Sequence, residues 1–202
     1  MAKTMTTSMM TEGQINRAIE LFSAQLRKHA VELPSEAVQQ VLGQSKLASE
    51  WFEVFRRRVE MMSSMIVRHV KEVDRTCSPQ QMLDATGRKQ YTDRDVVATM
   101  PRGEGDGEGE VVFFKPGREL ANNAELEQEY ELRGLKPVDP YSLAEVNKDD
   151  PAFADTHPNA TILGDNCYAA FDRWDGDERN VRVFRHGGGW SDDWWFAGLR
   201  KS

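Results

Sequence analysis

Apolar positions in the first third of the chain recur at alternating steps of four and three, the mark of helices with one apolar face. In "TEGQINRAIELFSAQLRKHAVEL" they are Ile15, Ile19, Phe22, Leu26 and Leu33, with His29 filling the gap. Thr11 and Gln14 are spaced as a capping box, in which each side chain satisfies a free amide of the first turn. Pro34 ends the segment, because proline has no amide to donate and clashes with the preceding turn. "SEAVQQVLG" predicts a short second helix, capped by Ser35 and closed by Gly43. In "SKLASEWFEVFRRRVEMMSSMIVRHVKEVD" the seam Ala48, Phe52, Phe55, Val59, Met62, Ile66, His69 and Val73 keeps a heptad register. Trp51, Val54, Met61 and Met65 widen it, as in a helix packed in a bundle. One continuous helix is expected here, roughly 43 Å long at 1.5 Å per residue. That is long for a 202-residue chain. Phe52, Phe55, Val59, Met62 and Ile66 are therefore expected to meet a second copy.

Beyond residue 76 the pattern changes. "SPQQMLDATG" carries a capping box at Ser78 and Gln81, proline at the first helical position and Gly87 as the stop. "TDRDVVATMP" predicts another short helix from Thr92. "RGEGDGEGE" is a solvated loop and lacks the lysine of a phosphate-binding loop. "EVVFFKPG" is strand-like in composition. "NNAELEQEYELRGL" predicts a helix with an Asn cap and Gly134 as its end. "DPYSLAEVN" and "DPAFADTHP" repeat an Asp cap followed by proline. "NCYAAFDRW", "NVRVFRH" and "WSDDWWFAG" predict three strands in an antiparallel meander, joined through "DGDER" and "GGG", with "EVVFFK" as a fourth. The expected fold is α+β. A helical region over 1–76, with one long helix arranged as a hairpin or bundle, precedes an α+β domain over 77–202 with a small C-terminal antiparallel sheet and short helices.

The net charge of −7 is unevenly spread. Residues 1–75 hold 11 basic and 9 acidic side chains, and residues 76–202 hold 15 and 24. The C-terminal part is therefore a poor generic nucleic-acid binder, since phosphate contacts need a basic face, but its acidity suits a basic partner. No apolar run reaches the ~20 residues that span a bilayer. The polar opening "MAKTMTTSMMTEGQ" lacks the apolar stretch of a signal peptide, and Cys77 and Cys167 are too few for a disulfide framework. A cytoplasmic protein with reduced thiols is expected.

The densest candidate chemistry is "HGGGWSDDWWFAG". In a strand, Trp190, Asp192, Trp194 and Phe196 would share one face, and Ser191, Asp193, Trp195 and Ala197 the other. A core role is the simpler one, because large aromatics dominate small sheets. Exposure of Trp190 or Trp195 beside Asp192 or Asp193 would instead make a platform for a cation or basic side chain. Cys167, His157 and Asp165 or Asp172 could form a nucleophile, base and orienting acid, but their spacing matches no motif. His157, Cys167 and His186 lack the spacing of zinc modules. Asp172, Asp175, Asp177 and Glu178 lack the calcium-loop pattern. His29 and His69 lie on helix seams, as structural histidines. Arg88 and Lys89 follow a helix end, where cations favour the dipole. Arg56, Arg57 and Arg58 form a basic run that is either a solvated face or a partner contact. No catalytic residue, metal ligand or cofactor is expected.

The stretches "SPQQMLDATGRKQY", "MPRGEG", "VVFFKPG", "YELRGLKPVDPYSLAEVN", "DPAFADTHPNAT" and "WSDDWWFAGLRK" together resemble a family of uncharacterised proteins of bacteria and their mobile elements. The resemblance runs from about residue 64 to the C-terminus and implies no activity, cofactor or site residue. The leading expectation is a non-enzymatic cytosolic interaction protein, binding a macromolecular partner through the long helix and the acidic C-terminal surface. One alternative is an enzyme or ligand-binding protein with a small-molecule or nucleotide pocket lined by the Trp and Asp side chains of the C-terminal strands. Another is a regulator that contacts nucleic acid through Arg56–Arg58.

Overall fold

The Thr11 hydroxyl accepts from the Gln14 amide and the Gln14 side chain accepts from the Thr11 amide, so the predicted capping box starts helix α1, Glu12–Lys28. The structure, a computed structural model, describes residues 9–104, 109–174, 178–185 and 187–201. A 3₁₀ turn follows over Ala30–Glu32, and α2 spans Ser35–Leu42. Pro34 rather than Ser35 takes its N-cap position, without a side-chain cap bond. Helix α3 spans Leu47–Ser63.

The expected long helix is therefore too long. The Ser63 and Ser64 hydroxyls bond back to the carbonyls of Glu60 and Met61, which competes with continued helix. The next residues, "IVRHV", are rich in β-branched side chains and form strand β1, Ile66–Val70, paired antiparallel with β3, Gly109–Phe114. Ile66 and His69 leave the helical seam for this strand, and Val73 is buried with the core beneath it. The chain divides into compact units at Met1–Arg56 and Arg57–Ser202. The helical region expected to run to residue 76 thus gives its last part to the second unit.

In that second unit, α4 (Pro79–Ala85) has the predicted box between Ser78 and Gln81. Strand β2 (Lys89–Thr92) absorbs Thr92, so Asp93, not Thr92, caps α5 (Arg94–Ala98). After β3 come α6 (Asn123–Leu132), β4 (Leu135–Pro137) and α7 (Pro140–Asp149), capped by Asn122 and Asp139 as their sequences require. The second Asp-Pro pair behaves differently. The short α8, Phe153–Thr156, has Ala152 at its N-cap and no side-chain cap.

The last four strands are β5 (Asn159–Gly164), β6 (Cys167–Trp174), β7 (Glu178–Arg185) and β8 (Trp195–Arg200). Together the strands form an eight-stranded mixed sheet in the order β1-β3-β8-β5-β6-β7-β2, with β4 also paired to β8. The small antiparallel meander is thereby corrected. β6 and β7 do form a hairpin, but β8 does not pair with β7. It lies between β3 (antiparallel) and β5 (parallel), and β2 runs parallel to β7 at the edge. β5 joins β6 through Asp165 and Asn166, whose φ values of 47° and 57° suit a tight hairpin and residue types that tolerate that region.

Central strands are buried on both faces. Val111, Phe113, Ala169, Phe171 and Ala197 pack with α4, α5, α7 and α8 in one core. Their neighbours Val112, Phe114, Ala170 and Phe196 pack with α6, Leu120 and Trp190 in a second. Alternate side chains on each strand thus feed opposite cores, and the second unit is a helix–sheet–helix sandwich.

Candidate functional site

The aromatic stretch at residues 190–196 mostly builds structure. Trp190 is 4% exposed, and its indole N–H donates to Asn123 at 3.0 Å. Its ring stands edge-on to Tyr168, Trp194 and Phe196, with centroids 5.3, 5.8 and 5.1 Å away. Trp190 also exchanges both backbone hydrogen bonds with Leu120. A Cβ on Gly189 would lie 2.3 Å from the Leu120 carbonyl oxygen, so the last glycine of "GGG" serves this close approach rather than a β7–β8 turn. Trp195 is half-buried on the other face, edge-on to His157 at 5.1 Å. Because β8 begins at Trp195, the expected strand faces hold only from there on. Asp192 and Asp193 lie before the strand and are exposed, and Asp193 has only a loose 3.7 Å pairing with Lys115. Arg118, Glu125 and Trp190 border a shallow open cleft of about 650 Å³. Its cation is already held, since Arg118 donates to Glu125 at 2.7 Å and to Glu129 at 3.1 Å. The structure does not bring Trp190, Trp195, Asp192 and Asp193 together as one platform.

The arginine run divides its work. Arg56 donates twice to Glu53, at 2.6 and 3.1 Å. Arg58 donates to the Leu132 carbonyl at 2.8 Å, where a cation suits the C-terminal end of α6. Arg57 is exposed. On α3 itself, Phe52, Val59 and Met62 are 58, 50 and 44% exposed, and Phe55 is half-buried. Ile66 does not share that face, because it packs against the sandwich core from β1.

The most unusual surface belongs to the first unit. No residue of α1, α2 or α3 is buried. Twelve large apolar side chains between Ile15 and Val54 are exposed, against five between Val59 and Leu132 in the second unit. Leu26, Leu33, Val38, Leu42 and Trp51 line an apolar groove of about 580 Å³. Phe22 stacks on Trp51 with centroids 5.6 Å apart, and both remain near half exposed. Monomeric proteins rarely leave so much contiguous apolar surface in water.

The other constellations stay apart. The Cys167 thiol is buried and reaches the Asp165 carbonyl at 3.6 Å, while His157 Nδ1 meets Thr156 at 2.7 Å and its ring stacks on Phe153. Asp172 pairs with Arg182 at 2.8 Å, on the strand face opposite Phe171. His29 meets Glu32, and His69 on β1 lies 3.7 Å from Glu110. His186, Asp175 and Asp177 lie outside the described residues. Among the described residues, no three His, Cys, Asp or Glu side chains group as metal ligands.

Two features escaped the sequence. Arg88, expected only as a cation following a helix end, is 6% exposed and donates to the Pro151 carbonyl at 2.9 Å, and burial lowers its pKa. Nearby, Arg173 and Arg179 face each other across β6 and β7 with Asp155 between them, holding Arg179 at 2.8 and 2.9 Å. The hydrogen bond from Arg179 draws the Asp155 carboxyl below its ordinary pKa, against the opposing effect of burial. Pairing of β6 with β7 sets the two arginines opposite each other, and α8 brings Asp155 to them. The second is a cavity of about 150 Å³ bordered by Cys77, Met82, Tyr141, Glu145 and Lys148. The Tyr141 hydroxyl donates to the Cys77 carbonyl at 3.0 Å, and burial raises its pKa. That volume suits a few waters or one small molecule.

Compared with protein-family models, curated proteins and solved structures, the chain matches none.

Proposed function

We propose that this is a non-enzymatic interaction protein whose N-terminal helical unit docks its apolar surface onto a protein partner. One observation carries it: the three helices have no buried residue, whereas the sandwich unit has two packed cores. Helices of such length are marginal alone and gain most of their stability from burying an apolar face. The acidic second unit, 20 basic and 27 acidic side chains over residues 57–202, offers a further surface for a basic partner, with Asp192 and Asp193 on it. A cytoplasmic setting fits the free thiols Cys77 and Cys167. No described helix is long and apolar enough to cross a membrane. A relation to proteins of bacterial mobile elements belongs to the same proposal. The alternatives draw less support. Trp190 is packed rather than presented, and Arg56 and Arg58 already have partners.

A photo-reactive residue placed at Phe52 or Leu42 and activated in producing cells tests this. Adducts with polypeptides are expected at both positions and not at exposed, polar Gln128. No polypeptide adduct at either helical position would overturn the proposal.

A further inference from the structure

Resting on that reading of the helical unit, we propose that its partner is a second copy of the same chain, with α1 and α3 of two copies forming a four-helix bundle.

Both helices carry seams of the same period. On α1 the positions are Ile15, Ile19, Phe22 and Leu26, and on α3 they are Ala48, Phe52, Phe55, Val59 and Met62. Equal seams interlock as knobs into holes, and four of them close a bundle core that two cannot. Among the described residues, the aromatic contact between the two helices within one chain is the Phe22–Trp51 stack, and it leaves both rings half in water. The unit also carries both halves of a self-complementary contact. Its groove, lined by Leu26, Leu33, Leu42 and Trp51, is a hole, and Phe52, 58% exposed and not part of the groove's lining, is a knob. A two-fold pairing places the same patch on both sides, so a surface with knob and hole together suits a copy of itself.

Charge favours the same partner. Residues 1–56 contain six basic and six acidic side chains, so two such units meet without net repulsion. The charges near the seams are neutralised locally, Arg17 by Glu20 and Arg56 by Glu53. The area also fits. The exposed large apolar side chains of the seams and groove, Ile15, Ile19, Phe22, Leu26, Leu33, Leu42, Trp51, Phe52, Val59 and Met62, are exposed by about half and present on the order of 1000 Å². A stable interface takes about 800 Å² from each partner.

The test uses the purified full chain. Sedimentation equilibrium at roughly 1–50 μM, a span that brackets ordinary dimer affinities, is expected to give twice the monomer mass of 23.0 kDa. Phe52→Glu is expected to weaken the dimer at least about 30-fold, the size of an interface hot spot. Measured with Trp51→Phe in both proteins, so that the near-UV circular dichroism is dominated by the second unit's tryptophans, that signal should stay unchanged. A photo-reactive residue at position 52, in an equal mixture of ¹⁵N-labelled and unlabelled wild-type backbone, is expected to join labelled to unlabelled peptides from α1 and α3. A wild-type monomer across the range, without mixed adducts, would overturn self-association. If in-cell adducts at Phe52 then contain a different polypeptide, docking stands and only the choice of partner fails. If no adduct forms in cells either, both fall.

Discussion

The two units of this chain solve the same folding problem in opposite ways. In the sandwich, each central strand sends alternate side chains into two cores, and Phe113, Phe114, Phe171 and Phe196 are wholly buried. The helical unit has well-formed helices, a satisfied capping box and strong apolar periodicity, yet none of its described residues is buried. Local signals such as caps and periods need only a few neighbouring residues. A core needs a second layer, and the sandwich supplies both of its own layers while the helices do not. The contrast teaches that good helical sequence and an independent core are separate properties.

Hydrogen exchange should show the largest difference. Amides of β3, β8 and β6 should open only with global unfolding, at about 5–15 kcal/mol, whereas α1–α3 in dilute protein should open at roughly 0–2 kcal/mol. Protection of α1–α3 should rise with protein concentration if a second copy covers them. Equal and concentration-independent protection in both units would break the comparison.

Single substitutions sharpen it further. Trp190→Ala should cost about 3–5 kcal/mol in denaturant titration, as a large buried aromatic does, and it also removes the donor to Asn123 Oδ1. Phe52→Ala in dilute protein should cost well under half as much, because its ring is largely in water. Gly198→Ala comes next, at about 1–3 kcal/mol for overpacking. A Cβ there would meet the Lys136 carbonyl oxygen at 2.9 Å and the Tyr130 ring at 3.1 Å. A Gly198→Ala protein as stable as wild type would show that β4 and β8 can separate freely.

Acid should act mainly on the sandwich. Asp155 has a folded pKa below its unfolded value, held down by Arg179 and then Arg173. Its stabilisation is complete above the unfolded value of about 3.9 and is lost as pH falls through the lower folded value. Asp155→Asn should cost about 1 kcal/mol at neutral pH, with partly exposed arginines screened by water. It should also flatten the loss of stability below about pH 4. An unchanged acid profile would remove Asp155 from the account. The smallest effect belongs to Asp193→Asn, within about 0.5 kcal/mol, since its side chain is 80% exposed.

What the sequence determined by itself was local. The boxes at Thr11–Gln14 and Ser78–Gln81, the Asn122 and Asp139 caps and the β6–β7 hairpin each depend on residues a few positions apart, so their residue types suffice. Even there, neighbours outside the motif could win. "IVRHV" fits the heptad seam, but pairing with β3 rewards its β-branched residues more than another helical turn would. "NATILG" follows a proline and was hidden as a strand, and Asn166, expected to open the next strand, belongs instead to the Asp165–Asn166 turn between β5 and β6. Only the tertiary structure decided that β8 enters between β3 and β5, that Gly189 and Trp190 dock on Leu120, and that Asp155 sits between two opposed arginines. Those outcomes join residues from 18 positions apart, Asp155 and Arg173, to 86 apart, Val112 and Gly198. Such pairings are chosen by the competition of all strands for partners and of all apolar faces for cover, which no short stretch encodes alone. The exposed helical face has the same origin, because its period announces that something must cover it and says nothing of whether the cover lies in the same chain.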